Sequence, residues 1–262
     1  MTNKKEQVVG IIGGCGPWAT VDIEMEIMDA WRSENNISKE QDFLSVLVYN
    51  YPKFHDRNYA IYNNGISPYK QYLDIARKMS LAGANIFAIA CNTAHIYFDE
   101  LIKESGFQFV NIVNGVVEHC INSFPKVNKI GILATRATCE LNLYNKYFSC
   151  FGVNVIIPSL EQIEEIMKSI YLIKMKCERS HIYREEALLK ATHKFVTQKA
   201  VEHLKPAIKE LIENECDHII LGCTELPIIL NDLRKNFPKL KFINPNKILA
   251  QSIVQHVKLL MR

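Results

Sequence analysis

Apolar residues along this chain fall into two alternating kinds of run. Short blocks such as Val8-Val9-Gly10-Ile11-Ile12 and Ile130-Gly131-Ile132-Leu133-Ala134 are apolar throughout, as strands buried on both faces are. Between them lie longer stretches whose apolar residues return every three or four positions, the period of an amphipathic helix. This pattern predicts strands at 8–13, 43–49, 85–90, 109–113, 129–134, 153–157, 217–222 and 241–243. It predicts helices at 17–32, 66–83, 94–105, 114–123, 138–150, 160–173, 181–214 (with room for a break) and 246–260. Strands separated by helices imply parallel sheets built from βαβ units. Pro17, behind the turn Gly13-Gly14-Cys15-Gly16, and Pro68, behind Ser67, suit first helical turns.

The pattern also repeats. Val9-Gly10-Ile11-Ile12-Gly13-Gly14 leads to Ala19-Thr20, and Ile130-Gly131-Ile132-Leu133-Ala134-Thr135 leads to Ala137-Thr138, with 121 residues between Gly10 and Gly131. Further on, Ala90-Cys91-Asn92-Thr93-Ala94-His95 and Leu221-Gly222-Cys223-Thr224-Glu225-Leu226 each follow a buried-strand block, 132 residues apart by their cysteines. A period this long points to a duplicated domain rather than a repeat array. The expected fold is therefore α/β, with two pseudo-symmetric domains, each a mostly parallel sheet flanked by helices. The active site is expected in the cleft between them. The predicted division is 1–113 plus 227–262 for the first domain and 114–226 for the second.

Each cysteine motif puts a thiol just past the carboxyl end of a strand, where open α/β sheets place ligands. A thiolate is a base or a nucleophile, and a following helix N-terminus would lower the thiol's pKa from roughly 8.5. A single cysteine is more often a buried, inert thiol. Two in matched settings favour function, and two opposed bases are what inverting a stereocentre by proton transfer requires. Asn92, Thr93 and Thr224 stand beside the thiols, as a cradle for a carboxylate or as plain helix caps. His95 lies one helical turn beyond Cys91. No further pair of residues has the spacing to complete a zinc site with them, so no metal is expected and His95 packs against or tunes the site.

Tyr49 to Asn58 reads as a loop at the same sheet end. Arg57 there has the fork that binds a carboxylate bidentately. From spacing alone, a surface Arg paired with Asp56 is the better reading, and Lys174 in Ile170-Tyr171-Leu172-Ile173-Lys174 is unremarkable. Gly14-Cys15-Gly16-Pro17-Trp18-Ala19 fits a dinucleotide-binding turn, but the second strand ends in Val48-Tyr49-Asn50, without the acid that would bind a ribose. Cys15 is then a small turn side chain, or a third thiol near the cleft.

Composition narrows the class. With 262 residues, 48% of them apolar, the chain can fill substantial cores, and its net charge of +3 leaves no basic block for nucleic acid. The lysines and arginines from Arg179 to Lys209 alternate with Glu and His as on a solvated helix face. No apolar leader precedes the first strand, and no window approaches a membrane span. Eight cysteines without a C-x-x-C pair suit reduced thiols in a cytoplasmic protein.

Taken together, Gly13-Gly14-Cys15-Gly16-Pro17-x-Ala19-Thr20, Asp56-Arg57, Cys91-Asn92-Thr93-Ala94-His95, Gly131-Ile132-Leu133-Ala134-Thr135, Ile173-Lys174 and Gly222-Cys223-Thr224-Glu225 resemble the aspartate racemase family of the aspartate/glutamate racemase superfamily. The likeness spans nearly the whole chain. Glutamate racemases resemble it less, usually carrying Ser after the first Asn-Thr-Ala and His-Tyr-Pro after the second Cys-Thr. The resemblance implies a cofactor-free racemase of a dicarboxylic amino acid, commonly a homodimer, with Cys91 and Cys223 as acid/base thiols. By the same resemblance Asn92, Thr93 and Thr224 hold the α-carboxylate, and Arg57 and Lys174 recognise the side-chain carboxylate. Three departures stand out: Cys15 in place of a common Met, His55 in place of a Pro, and Asn58 in place of a Thr. The last two lie in the substrate loop and bear on aspartate specificity. Glutamate or broader amino-acid racemisation remains an alternative, as do hydantoin racemisation, maleate isomerisation and malonate decarboxylation on the same scaffold. From other classes, a non-catalytic amino-acid sensor and a nucleotide-dependent oxidoreductase stay open.

Overall fold

The computed structural model describes residues 6–176 and 187–262. They form two compact α/β units: one runs to His119 and takes up Asn246–Arg262, and the other is Cys120–Pro245. The first contains strands β1 (Val8–Gly13), β2 (Ser45–Asn50), β3 (Ile86–Ile89) and β4 (Gln108–Val110). Its helices are α1 (Pro17–Glu34), α2 (Arg57–Tyr62), α3 (Tyr69–Leu81), α4 (Phe98–Ser105) and the start of α5 (Ile112–Ser123), which carries the chain into the second unit. The second contains β5 (Lys129–Ala134), β6 (Asn154–Ile156), β7 (His218–Gly222) and β8 (Lys241–Ile243). With them are α6 (Arg136–Glu140), α7 (Asn145–Phe148), α8 (Leu160–Lys176), α9 (Ala187–Glu213) and α10 (Leu230–Asn236); α11 (Pro245–Met261) then returns to the first unit.

The two sheets share one topology. Their strand orders are β2-β1-β3-β4 and β6-β5-β7-β8, parallel at every pairing. The central strands β1, β3, β5 and β7 are the all-apolar blocks of the sequence, because helices cover both faces of a parallel sheet. Two cores result. One gathers Ile12, Leu73, Met79, Phe87 and Leu101 in the first unit, and the other gathers Leu133, Ile166, Leu204, Leu221 and Leu233 in the second.

Several predicted boundaries move for local reasons. The strand predicted to run to 113 stops at Val110, because the Asn111 side chain accepts from the backbone N–H groups of Val113 and Asn114 (2.8 and 3.1 Å) and starts α5. The helix predicted at 138–150 is broken into α6, α7 and a 3-10 turn, with Asn142 at φ 52° turning the chain between the first two. The helix at 94–105 opens as a 3-10 turn, Thr93–Tyr97, before α4. The pattern also missed α2 and α10. Residues 181–186 of the predicted helix at 181–214 lie outside the described residues, as does the start of the mixed-charge stretch at Arg179. The predicted return to the first domain near 227 falls instead at 245–246, because β8 hydrogen-bonds to β7 and belongs to the second sheet.

Candidate active site

Cys91 and Cys223 sit at the carboxyl ends of β3 and β7, the third strand in sequence of each sheet. Both turn away in the same manner. The Cys91 N–H donates to the Ile89 carbonyl and the Cys223 N–H to the Leu221 carbonyl, each at 2.8 Å. Such an i to i−2 bond marks a tight turn at a strand end. Both thiols are 7% exposed.

In the first unit the turn after β1 delivers a second thiol. A Cβ on Gly13 would stand 2.1 Å from Thr20 Cγ2, and one on Gly14, at φ 105°, 2.2 Å from the Tyr51 backbone. Only glycine fits these positions. Thr20 Oγ1 accepts from the Gly14 N–H and donates to the Gly16 carbonyl, both at 2.9 Å. The turn thus held places Cys15 in hydrogen-bond contact with Cys91, and its Sγ lies 3.1 Å from the Tyr72 hydroxyl on α3. The hydrogen bond to Cys91, then burial, push the Cys15 thiol well above its ordinary pKa.

The stretch expected to be a loop from Tyr49 to Asn58 ends in a helix. Asp56 is the N-cap of α2, accepting from the Tyr59 N–H at 2.8 Å. Arg57 is its first residue and is buried, which overturns the reading of a surface arginine. Its Nη1 donates to the His55 carbonyl at 3.4 Å, and Nε has no hydrogen-bond partner among the described residues. Burial works against the guanidinium charge, but the pull of Cys15, Cys91 and Tyr72 as they ionise holds its pKa above the ordinary value. Asn58 follows it in α2 and is half-buried.

Asn92 and Thr93 are buried beside Cys91, and so is His95. The His95 ring is fixed as one neutral tautomer. Its Nδ1 lies 2.8 Å from the Cys91 carbonyl and must donate, because Nε2 accepts from the Ile112 N–H at 3.3 Å. Burial lowers its pKa to about 4. Both nitrogens are committed, so His95 ties the Cys91 backbone to the start of α5 and offers no lone pair to a metal. Among the described residues no group of His, Cys, Asp and Glu is placed to hold one.

The second unit surrounds its thiol differently. Cys223 donates to Glu225 Oε2 at 2.9 Å, and Thr224 Oγ1 donates to the same oxygen at 3.3 Å. Glu225 Oε1 has no hydrogen-bond partner among the described residues, but Lys174 Nζ on α8 lies 3.6 Å from it as an ion pair. Thr224 and Glu225 are buried, and the Lys174 side chain is largely so. The expected lowering of the Cys223 pKa by a helix start does not occur. A short 3-10 turn, Leu226–Ile229, and then α10 follow, but burial, then the Glu225 charge, push the thiol up, with Lys174 opposing.

The structure thus gathers Cys15, Arg57, Cys91, Asn92, Thr93 and His95 in one unit, and Lys174, Cys223, Thr224 and Glu225 in the other. The sequence reading missed Tyr72. It lies with Leu73, Ala76 and Met79 among the buried residues of α3, where an aromatic reads as core, and nothing local signals the thiol at its hydroxyl.

The chain is also similar to known proteins. The family model described as Asp/Glu/hydantoin racemase matches residues 12–253. The chain is 25% identical over 248 residues to a broad specificity amino-acid racemase of Bacillus subtilis, covering 94% of this chain and 96% of that one. Over 176 residues it is 24% identical to a glutamate racemase of Carboxydothermus hydrogenoformans, covering 67% of this chain and 57% of that one. Its fold is similar to that of Picrophilus torridus aspartate racemase, with a TM-score of 0.75 and 26% identity across 96% of this chain and 94% of that one. The chain belongs to the Asp/Glu/hydantoin racemase family.

Proposed function

We propose that this chain is a cofactor-independent amino-acid racemase that interconverts L- and D-aspartate, with Cys91 and Cys223 as its two bases. One observation carries the proposal. Two thiols occupy the same slot after the third strand of two like-ordered sheets, closed by the same 2.8 Å backbone bond. One thiolate takes the α-proton from one face of the substrate, and the other thiol gives a proton to the opposite face. The charge that develops toward the α-carboxylate is met by Asn92, Thr93 and Thr224 and by the backbone N–H groups around them. Arg57 is the cation for the side-chain carboxylate, and the similarity to the Picrophilus aspartate racemase favours aspartate over glutamate. We further propose a homodimer in the cytoplasm, as is common in the resembling family.

Broad specificity is the second reading, and the Lys174–Glu225 ion pair favours it. A lysine already balanced by a carboxylate 3.6 Å away makes a weaker demand for a second carboxylate on the substrate.

The test is chiral chromatography of reduced protein incubated with L-aspartate, L-glutamate and a panel of neutral amino acids, without added cofactor. Conversion of L-aspartate toward an equal mixture supports the proposal, and conversion across the panel supports the second reading. Turnover of none, with ligand still raising Tm, favours the amino-acid sensor.

A further inference from the structure

Cys15 has no part in a two-thiol mechanism, yet the fold builds a hydrogen-bond chain through it. Tyr72 is fully buried, and its hydroxyl has one hydrogen-bond partner among the described residues, Cys15 Sγ at 3.1 Å. A buried phenol O–H needs an acceptor. The phenol therefore donates to the Cys15 sulfur. That occupies a Cys15 lone pair and leaves its S–H for the other contact, with the Cys91 sulfur. The order runs from the Tyr72 O–H to Cys15, and from the Cys15 S–H to Cys91.

The remaining groups around this pair agree with that order. Arg57, from α2, supplies positive charge near both sulfurs. His95 is neutral and engaged through its ring nitrogens. Tyr72, from α3, keeps its proton because burial raises its pKa well above the ordinary value. Cys15 likewise stays protonated, so it remains a donor when Cys91 ionises. A donor gains strength when its acceptor is charged, which makes this contact worth most when Cys91 is a thiolate.

We propose that Cys15 and Tyr72 are positioning residues for the first base: the Cys15 S–H, oriented by Tyr72, donates to Cys91 and stabilises the thiolate that takes the substrate's α-proton. The α-proton goes to Cys91, and Cys15 keeps its own throughout. This rests on the reading of Cys91 as a base.

The experiment follows iodoacetamide alkylation of the full-length protein against pH, with Cys91 and Cys223 quantified separately by peptide mass spectrometry. Cys15→Ala should raise the pH midpoint of Cys91 alkylation by about one unit, or roughly tenfold slower reaction below the midpoint. Tyr72→Phe should raise it by about half as much. Cys15→Ser should restore it, because a hydroxyl donates in the same place. The Cys223 profile should not move in any variant. An unchanged or lowered Cys91 midpoint in Cys15→Ala overturns the proposal, and so does an equal shift of both cysteines, which would mean general loosening. Should Cys15→Ala fail to fold, Tyr72→Phe against Cys15→Ser decides it. A Cys91→Ser variant that still racemises would remove the base assignment without touching the alkylation result, so the two failures are told apart.

Discussion

Cys91 and Cys223 share a strand position, a 2.8 Å backbone bond and the same small exposure. The side chains around them do not match. Cys91 has a buried cation, Arg57, and a neutral donor, Cys15. Cys223 donates to a carboxylate, Glu225, which Lys174 balances. The fold repeats the backbone slot, and side chains set the charge within it. Under the two-base reading, Cys223 is then the thiol that rests with its proton, and Cys91 faces the groups that favour a thiolate.

Serine substitution is the strongest way to break that contrast. Serine is a far weaker acid than cysteine, so Cys91→Ser and Cys223→Ser should each cut racemisation by about a thousandfold or more. Exchange of the α-proton with solvent deuterium should separate the two. Cys223→Ser retains the thiolate-favouring site and should still exchange one enantiomer, whereas Cys91→Ser leaves only a thiol held protonated and should exchange slowly. Equal exchange in both variants would show that the charge difference has no kinetic consequence. Arg57→Gln should lower kcat/KM for aspartate by about a hundredfold, the scale of a lost charge-assisted carboxylate contact. Lys174→Gln should lower it less, because that lysine is already paired. The reverse order would move the carboxylate clamp to the second unit.

A further contrast lies four residues past each thiol. Position 95 is a histidine, while the equivalent 227 is Pro227. The buried His95 has its pKa lowered to about 4 by burial, against an unfolded value near 6.5. Between those values the unfolded chain binds a proton that the folded chain refuses, so the stabilisation present above pH 6.5 is lost as pH falls toward 4. The loss is at most about 3 kcal/mol. Hydrogen exchange followed by mass spectrometry should show β3 and the start of α5 losing protection in that window before β7 does. His95→Gln should flatten the difference, and simultaneous loss in both strands would rule out His95 as its cause.

The sequence made the strands legible because parallel strands between helices are apolar on both faces, so blocks such as Ile86–Ile89 and His218–Gly222 stand out. The matched cysteines were legible for the same reason, each following such a block. Pairing was not. Lys241–Ile243 read as a strand, but only its bonds to β7 assign it to the second sheet. Arg57 looked superficial because Asp56 beside it offered an ion pair, and only the cap that Asp56 makes to Tyr59 explains how the arginine turns inward. Tyr72 met its thiol 57 residues away in sequence, beyond any local pattern. Glu225 stood two residues from Cys223 in plain view. What the sequence could not weigh was burial plus a carboxylate against a helix start, and burial decided the direction.

Glu225 therefore gives the finest test of the contrast. Its charge is the second cause, after burial, of the raised Cys223 pKa, and its hydrogen bond works the same way. Glu225→Gln removes the charge and keeps the shape. It also leaves Lys174, which lowers the Cys223 pKa, without its opposing carboxylate. Both changes favour the thiolate, while burial still opposes it. Alkylation of Cys223 at neutral pH should rise by on the order of tenfold, one unit of pKa, and alkylation of Cys91 should stay as it was. The direction of turnover that needs Cys223 as the acid should lose activity at a lower pH than in the parent protein. If Cys223 alkylation does not change, the carboxylate does not set its protonation, and the two thiols differ less than their neighbours suggest.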